Sequence, residues 1–520
     1  MRYVIRGLTL PIHHKESDLL YKIAKETRTE PKYFTHSVLR RSIDARKGVV
    51  NFVYSVVVES PFQLNGRNVF PYFEPKPLII PKANLSSRPV VIGFGPAGMF
   101  ASLLLARAGA KPIVLERGKK VNERKNDIER LKDKGVLNPE SNICYGEGGA
   151  GTFSDGKLNT GVNDERTKFV LDEFVKHGAK RDILIDALPH IGSDYLQKIV
   201  KSFREEILSL GGDILFESKF AGIKLRHDKV VSVQYQKDGK ENSIETSRVV
   251  LAFGHSPYDT VLSLMKAGLL VAPKDYSIGV RIEHLQKSIN ETRYHSYASD
   301  FSLPAASYKC VTHLANGRSV YSFCMCPGGF VTNSSTEIGT IVTNGMSNND
   351  RGEKNGNSAL LVPVRVSDYY HGNPLDGFTF RSEIERLSFQ KDKPYYAPIQ
   401  LLKDFLKNKK SDSFGRVLPS YRPGVYFENL VNILPDFISL SLKEGIVSLT
   451  KQLSFMGDED AVLTGVETRS SSPIRIPRNE RMESNIPGLY PCGEGASYAG
   501  GITSAALDGI KVALAILAND

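Results

Sequence analysis

Apolar and polar positions follow three different rhythms along the chain, and each predicts a different kind of structure. In the first, residues 3–8 and 49–59 are long β-branched runs that read as strands. Between them Glu16–Thr27 reads as a helix, with Leu19, Leu20, Ile23 and Ala24 on one face. Pro71, Pro75, Pro77 and Pro81 then break the pattern and predict a linker, with a domain boundary near residue 85. In the second rhythm, short uniformly apolar strands alternate with helices. Val90–Ile92 predicts a strand, residues 99–108 a helix stopped by Gly109, and residues 112–115 a second strand. Helices follow over 122–134 and 195–210. A strand begins at 213, and three short strands fill 220–251 with turns at His227–Asp228 and Asp238–Gly239. The last of them runs on to Gly254. The same style returns at the end, with a strand over 489–492 and a helix over 504–517. The third rhythm, over 265–455, mixes short strands with a polar stretch and helices near 380–389 and 398–408. It reads as an inserted α+β domain. The divisions are therefore 1–85, 86–264, 265–455 and 456–520.

The first strand–helix–strand unit carries chemistry. Gly93, Gly95 and Gly98 stand in the spacing G-x-G-x-x-G, with Pro96 and Ala97 between the last two. In a βαβ unit these glycines allow a tight turn, close approach of backbone to a pyrophosphate, and close helix packing. The helix start offers unpaired N–H groups to phosphate. Glu116, 23 residues after Gly93, ends the next strand where a ribose-binding acid is expected. An acid there favours an unphosphorylated ribose, as in FAD or NAD, and Arg117 follows it. The run CYGEGGAGTFSDGKLNTG, from Cys144, is too glycine-rich to anchor a core and reads as a loop that wraps a ligand. Gly149, Gly151 and Thr152 are its candidate contacts.

Charge refines the picture at one end. The net charge is +11, yet residues 1–88 hold 15 Lys and Arg against 7 Asp and Glu. The basic character thus belongs to the first module. Arg40, Arg41, Arg46 and Lys47 form its densest cluster, read as a solvated surface or as a surface for RNA. Five cysteines fit a reducing compartment, no run of 18 apolar residues predicts a membrane span, and no secretory signal is visible. These features predict a cytoplasmic protein without a membrane partner.

Further motifs resemble a known family. The fragments GEGGAGTFSDGKL, AFGHS, IGVRIEH, YSFCMCPGGFV, TNGMS, GVETRSSSPIRI and PCGEGASYAGGITSAALDGI are similar to bacterial FAD-dependent, "NAD(FAD)-utilising" dehydrogenases. These carry the glutathione-reductase type of FAD fold, and the similarity spans nearly the whole chain. It implies an α/β architecture: a Rossmann-type FAD-binding domain, an inserted α+β substrate or cap domain, and a small basic N-terminal α+β module. It also implies roles. Gly93, Gly95 and Gly98 would hold the FAD pyrophosphate, and Glu116 the adenosine ribose. Lys219 and Phe220 would lie beside the adenine. Gly254 and His255 would contact FAD. Gly493 and Glu494 would meet the ribityl chain, with Glu in place of the usual Asp. Gly501, Ile502 and Thr503 would open the helix that faces the flavin ring.

The implied activity is that of an FAD-dependent oxidoreductase with noncovalent FAD and a small substrate, with an anion among the expected classes. No second G-x-G-x-x-G follows a strand, so NADH or NADPH would act only as a transient donor in the substrate crevice. An RNA-associated flavoprotein and a non-catalytic flavin-binding protein are the alternatives. Lys157, Arg281, His284 and Arg469 are the candidate catalytic residues. Arg281 and Glu283 share a strand face and either pair with each other or leave Arg281 to receive substrate. Arg469 and Arg475 flank three serines in a segment suited to an anion. Cys324 and Cys326 are read as inert buried thiols or as a redox pair, with C-x-C spacing that strains a disulfide. No metal site is expected. The first module is expected to be separable from the flavin-binding body.

Overall fold

In the computed structural model, which describes residues 1–518 apart from the Lys47 side chain, Val90–Ile92 is the central strand of a five-stranded sheet. The order is Leu489–Pro491, Val249–Leu251, Val90–Ile92, Ile113–Leu115 and Asp213–Leu215, all parallel. Alternate residues enter two different cores. Val91, Val114, Val250 and Tyr490 pack under the helices Pro96–Arg107, Ser193–Ser209 and Ile502–Ala518. Val90, Ile92, Leu115, Val249 and Leu251 face the antiparallel strands of 219–245 and the helix Tyr258–Lys266. A strand covered on both faces needs apolar residues at every position, so its period of two is invisible in the sequence. All five strands end at one edge, and Gly93, Glu116, Gly254 and Gly493 follow four of them. In open α/β sheets that edge is where ligands bind.

The second sheet has seven strands, ordered Val311–His313, Ser319–Cys326, Asn355–Val364, Tyr276–Leu285, Val462–Glu467, Ala397–Leu401 and Val425–Phe427. The helix Asp436–Thr450 packs across it through Ile438, Leu442, Ile446 and Leu449. Two expectations are corrected here. The insertion does not end at 455: Val462–Glu467 pairs with Tyr276–Leu285 on one side and Ala397–Leu401 on the other. Residues 398–408 are not one helix. Ala397–Leu401 is a fully buried strand and only Leu402–Leu406 is helical. A short apolar run does not reveal which of the two it forms, and sheet pairing decides.

The N-terminal module is a four-stranded sheet, ordered Thr35–Asp44, Asn51–Glu59, Arg2–Pro11 and Val69–Pro71, with the helix Glu16–Thr27 beside it. Phe52, Tyr54, Val56 and Val58 alternate inward along Asn51–Glu59. The strand Thr35–Asp44 was not anticipated, because its pattern is polar and no residue of it is fully buried. Arg41 lies on it and pairs with Asp186 of the next domain at 2.8 Å, while Arg46 pairs with Asp44 at 2.6 Å. Two of the basic residues considered for RNA are therefore engaged in ion pairs. Arg40 is exposed, and the Lys47 side chain lies outside the described residues.

The module is not a separate body. Ile5, Val56 and Val58 belong to one contiguous apolar cluster with Ile278, Val280 and Leu360 of the seven-stranded sheet. His13 also meets Asp300 at 2.7 Å. Deleting residues 1–85 would expose this surface, at about 25 cal/mol per Å² of apolar area. The truncated chain is expected to melt roughly 5 °C or more below the full chain, or to be insoluble, in a thermal scan. An unchanged melting temperature would restore the separable module.

Candidate functional site

At the C-terminal edge of the parallel sheet, three glycine segments meet. Gly93 takes a left-handed φ of 96°, and a Cβ on it would lie 2.5 Å from the Ala252 carbonyl oxygen. Gly95 caps the helix Pro96–Arg107 with extended backbone, and no acid stands in that helix's first turn. Its positive end is thus not neutralised from within. Across from it, a Cβ on Gly149 would lie 2.9 Å from the Gly95 Cα, and one on Gly493 would lie 2.8 Å from the Ala97 Cβ. Gly151 stands between Pro96 and Ile502, the first residue of the last helix. The corner is therefore lined by backbone from two helix starts and two loops. This fits a bound diphosphate, whose oxygens need N–H donors and closely approaching backbone.

Each loop is tied down by its own side chains. Glu116 is buried and accepts from the N–H groups of Phe94, Gly118 and Gly146, all at 2.9 Å. It joins the glycine turn to the glycine loop. Arg124, fully buried, donates to the carbonyls of Asn142, Ile143, Glu147 and Gly149. It was not foreseen, since an arginine in a charged helix gives no sign of facing inward. Thr152 donates to Glu147 O and Thr503 to Leu158 O at 2.7 Å. Asp508 accepts from Gly493 N–H at 2.7 Å and pairs with Arg478. At the Glu116 end, Arg117 lies 4.2 Å from the Tyr145 ring and pairs with Glu140 and Asp259. Lys219 pairs with the same two acids, and Phe220 is in the core behind them. At the other end no hydrogen bond to the Glu494 carboxylate is found among the described residues. Burial pushes it up to about 7, with Lys274 nearby opposing and Cys324 adding to the rise.

The inserted domain faces this corner with arginines. Arg469 forms two bonds to Glu385, at 2.9 and 2.6 Å, and also donates to Thr336 and Glu337. Arg381, only 1% exposed, has one hydrogen bond among the described residues, from Nη2 to the His255 carbonyl at 3.2 Å, and its guanidinium lies 4.5 Å over the Phe378 ring. Its Nη1 is buried without a partner. Burial, and then Arg469, lower its pKa to about 10. His255, beside them, donates or accepts at Ser256 and is held neutral, down to about 3, by burial and the same two arginines. Cys144 is within electrostatic reach of both arginines. Arg381 was missed in the sequence because helix 376–387 reads as an ordinary amphipathic helix.

The catalytic candidates separate. Arg281 does not pair with Glu283 and is not free for substrate. It is 0% exposed and binds Glu467 at 2.5 and 3.0 Å, with Cys324 O, Asn357 and Asn344 taking its remaining donors. Glu283 instead accepts from Ser420 and Asn355. His284 points to the opposite face of the strand, into the apolar core against Phe455, and neither ring nitrogen has a partner. Arg469 is neutralised as described. Ser470 and Ser472 donate to backbone carbonyls, and Arg475 lies over Tyr498. Lys157 remains: its Nζ is buried with no hydrogen bond, 3.3 Å from Asp155. Among the described residues one further cluster, Glu173, His177 and Glu206, has metal-binding spacing. Arg107 and Lys176 already pair with its carboxylates, so it is an ion-pair network.

Comparison with known proteins bears on this corner. Residues 275–470 match the family described as FAD-dependent protein, C-terminal domain-like, and residues 3–59 match a domain of unknown function. A Clostridium beijerinckii protein, described as uncharacterized, is 43% identical over 523 residues, covering 98% of this chain and 97% of its own. The chain belongs to one family with this Clostridium protein. Its C-terminal domain-like region coincides with the seven-stranded sheet, and the FAD-dependence in the family description agrees with a glycine-lined diphosphate corner. The chain also has likeness to a flavin-dependent brominase, at 13% identity and TM-score 0.37 over 84% of this chain and 80% of that one. It has likeness to an L-amino acid deaminase from Proteus vulgaris, at 12% and 0.36 over 86% and 94%. No helix among the described residues is long and apolar enough to cross a membrane.

Proposed function

We propose that this FAD-dependent protein is an oxidoreductase that holds FAD noncovalently along the C-terminal edge of the five-stranded sheet and receives a small anionic substrate at Arg381. The observation that carries the cofactor assignment is the convergence of Gly95, Gly149 and Gly493 around an un-neutralised helix start. The N–H groups of Ala97 and Gly98 serve the diphosphate. Glu116 would turn its one remaining lone pair, on Oε2, to the adenosine ribose, and Arg117 with Tyr145 would close that end. Glu494 meets the ribityl hydroxyls, and protonation near neutral pH lets it donate as well as accept. The start of the last helix, at Gly501, Ile502 and Thr503, stabilises negative charge on the ring. When bound, the flavin supplies the two-electron chemistry.

The chain's own residues then orient substrate. Arg281 and Arg469 each have a bidentate carboxylate partner; Arg381 has none. A buried guanidinium whose Nη1 has no partner among the described residues fits a carboxylate or phosphate. NADH or NADPH is the proposed donor, entering the same cleft. Anaerobic reduction of the FAD-loaded protein by NADH and by NADPH, followed by reoxidation with a panel of carboxylates and phosphates, tests the reading. Arg381→Met should leave flavin loading intact and weaken binding of the active anion about 10- to 100-fold, read as KM or as perturbation of the flavin spectrum. Loss of flavin with substrate affinity unchanged would place Arg381 at the cofactor instead.

A further inference from the structure

The strand Ser319–Cys326 breaks its register against Asn355–Val364 between Phe323 and Cys326. In a regular strand the side chains of residues two apart share a face but stand too far apart for their sulfurs to meet. Here the bulge changes that. Cys324 adopts a left-handed φ of 45°, which few non-glycine residues take. The Cys326 thiol turns back and donates to the Cys324 carbonyl at 3.3 Å, so the two side chains lie on the same short bend of the chain. Bulges of this kind re-aim side chains beside functional sites. The segment therefore departs from the flat strand in which C-x-C spacing keeps two sulfurs apart. Cys324 is partly accessible and Cys326 is buried behind it.

A hydrogen-bond chain ties the pair to the glycine loop: Ser347 Oγ donates to the carbonyl of Pro327, next to Cys326, the Ser193 N–H donates to the Ser347 carbonyl, and Ser193 Oγ donates to the Thr152 carbonyl. Thr503, in the first turn of the last helix, binds the Leu158 carbonyl, and the adjacent Lys157 acts electrostatically on both sulfurs. Glu494, on the Gly493–Glu494 turn, feels the charge of Cys324. The Lys157 Nζ is buried, with no hydrogen-bond partner among the described residues, and lies 3.3 Å from the Asp155 carboxylate. Arg281, locked on Glu467, donates to the Cys324 carbonyl. Lys157 and Arg281 favour a thiolate at Cys324; Asp155, Glu467 and Glu494 oppose it. The neighbouring Cys326 side chain, with the two cations, holds Cys324 well below the usual thiol range, while Cys324 and burial push Cys326 well above it. An attacking thiolate beside a protonated partner is the arrangement that thiol–disulfide chemistry needs.

We infer that Cys324 and Cys326 form a dithiol–disulfide couple that exchanges two electrons with the flavin. In the forward direction both S–H bonds break and one S–S bond forms. The two electrons and two protons released pass to oxidised FAD, giving the two-electron-reduced cofactor. The reverse step cleaves the S–S bond with the same electrons and protons. The inference rests on the FAD reading for its electron partner, but the thiols can be counted with or without flavin.

The test uses the full-length, FAD-loaded chain. It is oxidised with diamide under denaturant-free conditions, then unfolded, alkylated with N-ethylmaleimide and weighed intact. Of the five cysteines, two should escape alkylation in the wild type, and peptide mapping should join Cys324 to Cys326. Cys326→Ser should retain all of its remaining thiols, and Cys310→Ser should still lose the pair. Anaerobic dithionite titration of the oxidised holoenzyme should consume about four electrons per chain in the wild type and about two in Cys326→Ser. Lys157→Met should move the pH profile of Cys324 alkylation to higher pH. Five alkylated thiols after oxidation, or two-electron uptake in both proteins, overturns the couple. Absence of a flavin spectrum with the disulfide still formed would overturn the FAD reading and leave the pair a flavin-independent redox site.

Discussion

Gly95→Val should fold normally and fail to bind FAD. The backbone at Gly95 has φ −77° and ψ −176°, an extended conformation that valine adopts freely. Its Cβ would lie 3.7 Å from the Gly149 Cα, an ordinary contact. The γ-methyls, however, would project between the glycine turn and the glycine loop, where the diphosphate must approach backbone. A loss of about two orders of magnitude in affinity, about 3 kcal/mol, is expected from FAD titration. Circular dichroism and the melting temperature of the flavin-free protein should be unchanged. Gly98→Val gives the opposite signature. A Cβ there would lie 2.0 Å from the Gly93 carbonyl oxygen, so the fold itself should fail. Full flavin occupancy in folded Gly95→Val would remove the diphosphate from this corner.

Glu467→Ala should be among the most destabilising single changes in the inserted domain. It strips the fully buried Arg281 of both charged bonds and leaves an uncompensated cation between Tyr276–Leu285 and its neighbours. Breaking one side of a buried ion pair costs about 3–5 kcal/mol. In a domain of this size the apparent melting temperature should fall by roughly 10 °C. The double variant Arg281→Met with Glu467→Leu should recover much of the loss, because a well-packed apolar pair can replace a buried ionic one. A Glu467→Ala protein with wild-type stability and altered substrate affinity would return Arg281 to the list of substrate-binding groups.

These two residues show how far the sequence could be read. The glycine turn, the strand that ends at Glu116 and the last helix were legible because backbone constraints write themselves into residue type and spacing: only glycine tolerates the approach to Ala252 or Gly95. The Glu16–Thr27 helix was legible from a periodicity that one apolar face imposes. Ala397–Leu401 was not, because a strand buried on both faces and a buried helix look alike. Buried polar pairing was the least legible. Arg281 and Glu283 share a face, yet Arg281 binds Glu467, distant in sequence and brought close only by the sheet order. Nothing local distinguishes Arg381, which lacks a carboxylate partner, from Arg469, which has one. The bulge that brings Cys324 to Cys326 is likewise a property of register against Asn355–Val364, not of the residues between.

Cofactor stoichiometry decides the FAD assignment most directly. The purified full-length chain, incubated with FAD and freed of excess, should carry a flavin spectrum at about one FAD per chain. Acid precipitation should release all of it into the supernatant, where chromatography identifies intact FAD. No flavin bound at saturating FAD, or flavin that stays with the precipitated protein, would contradict a noncovalent FAD site at this sheet edge.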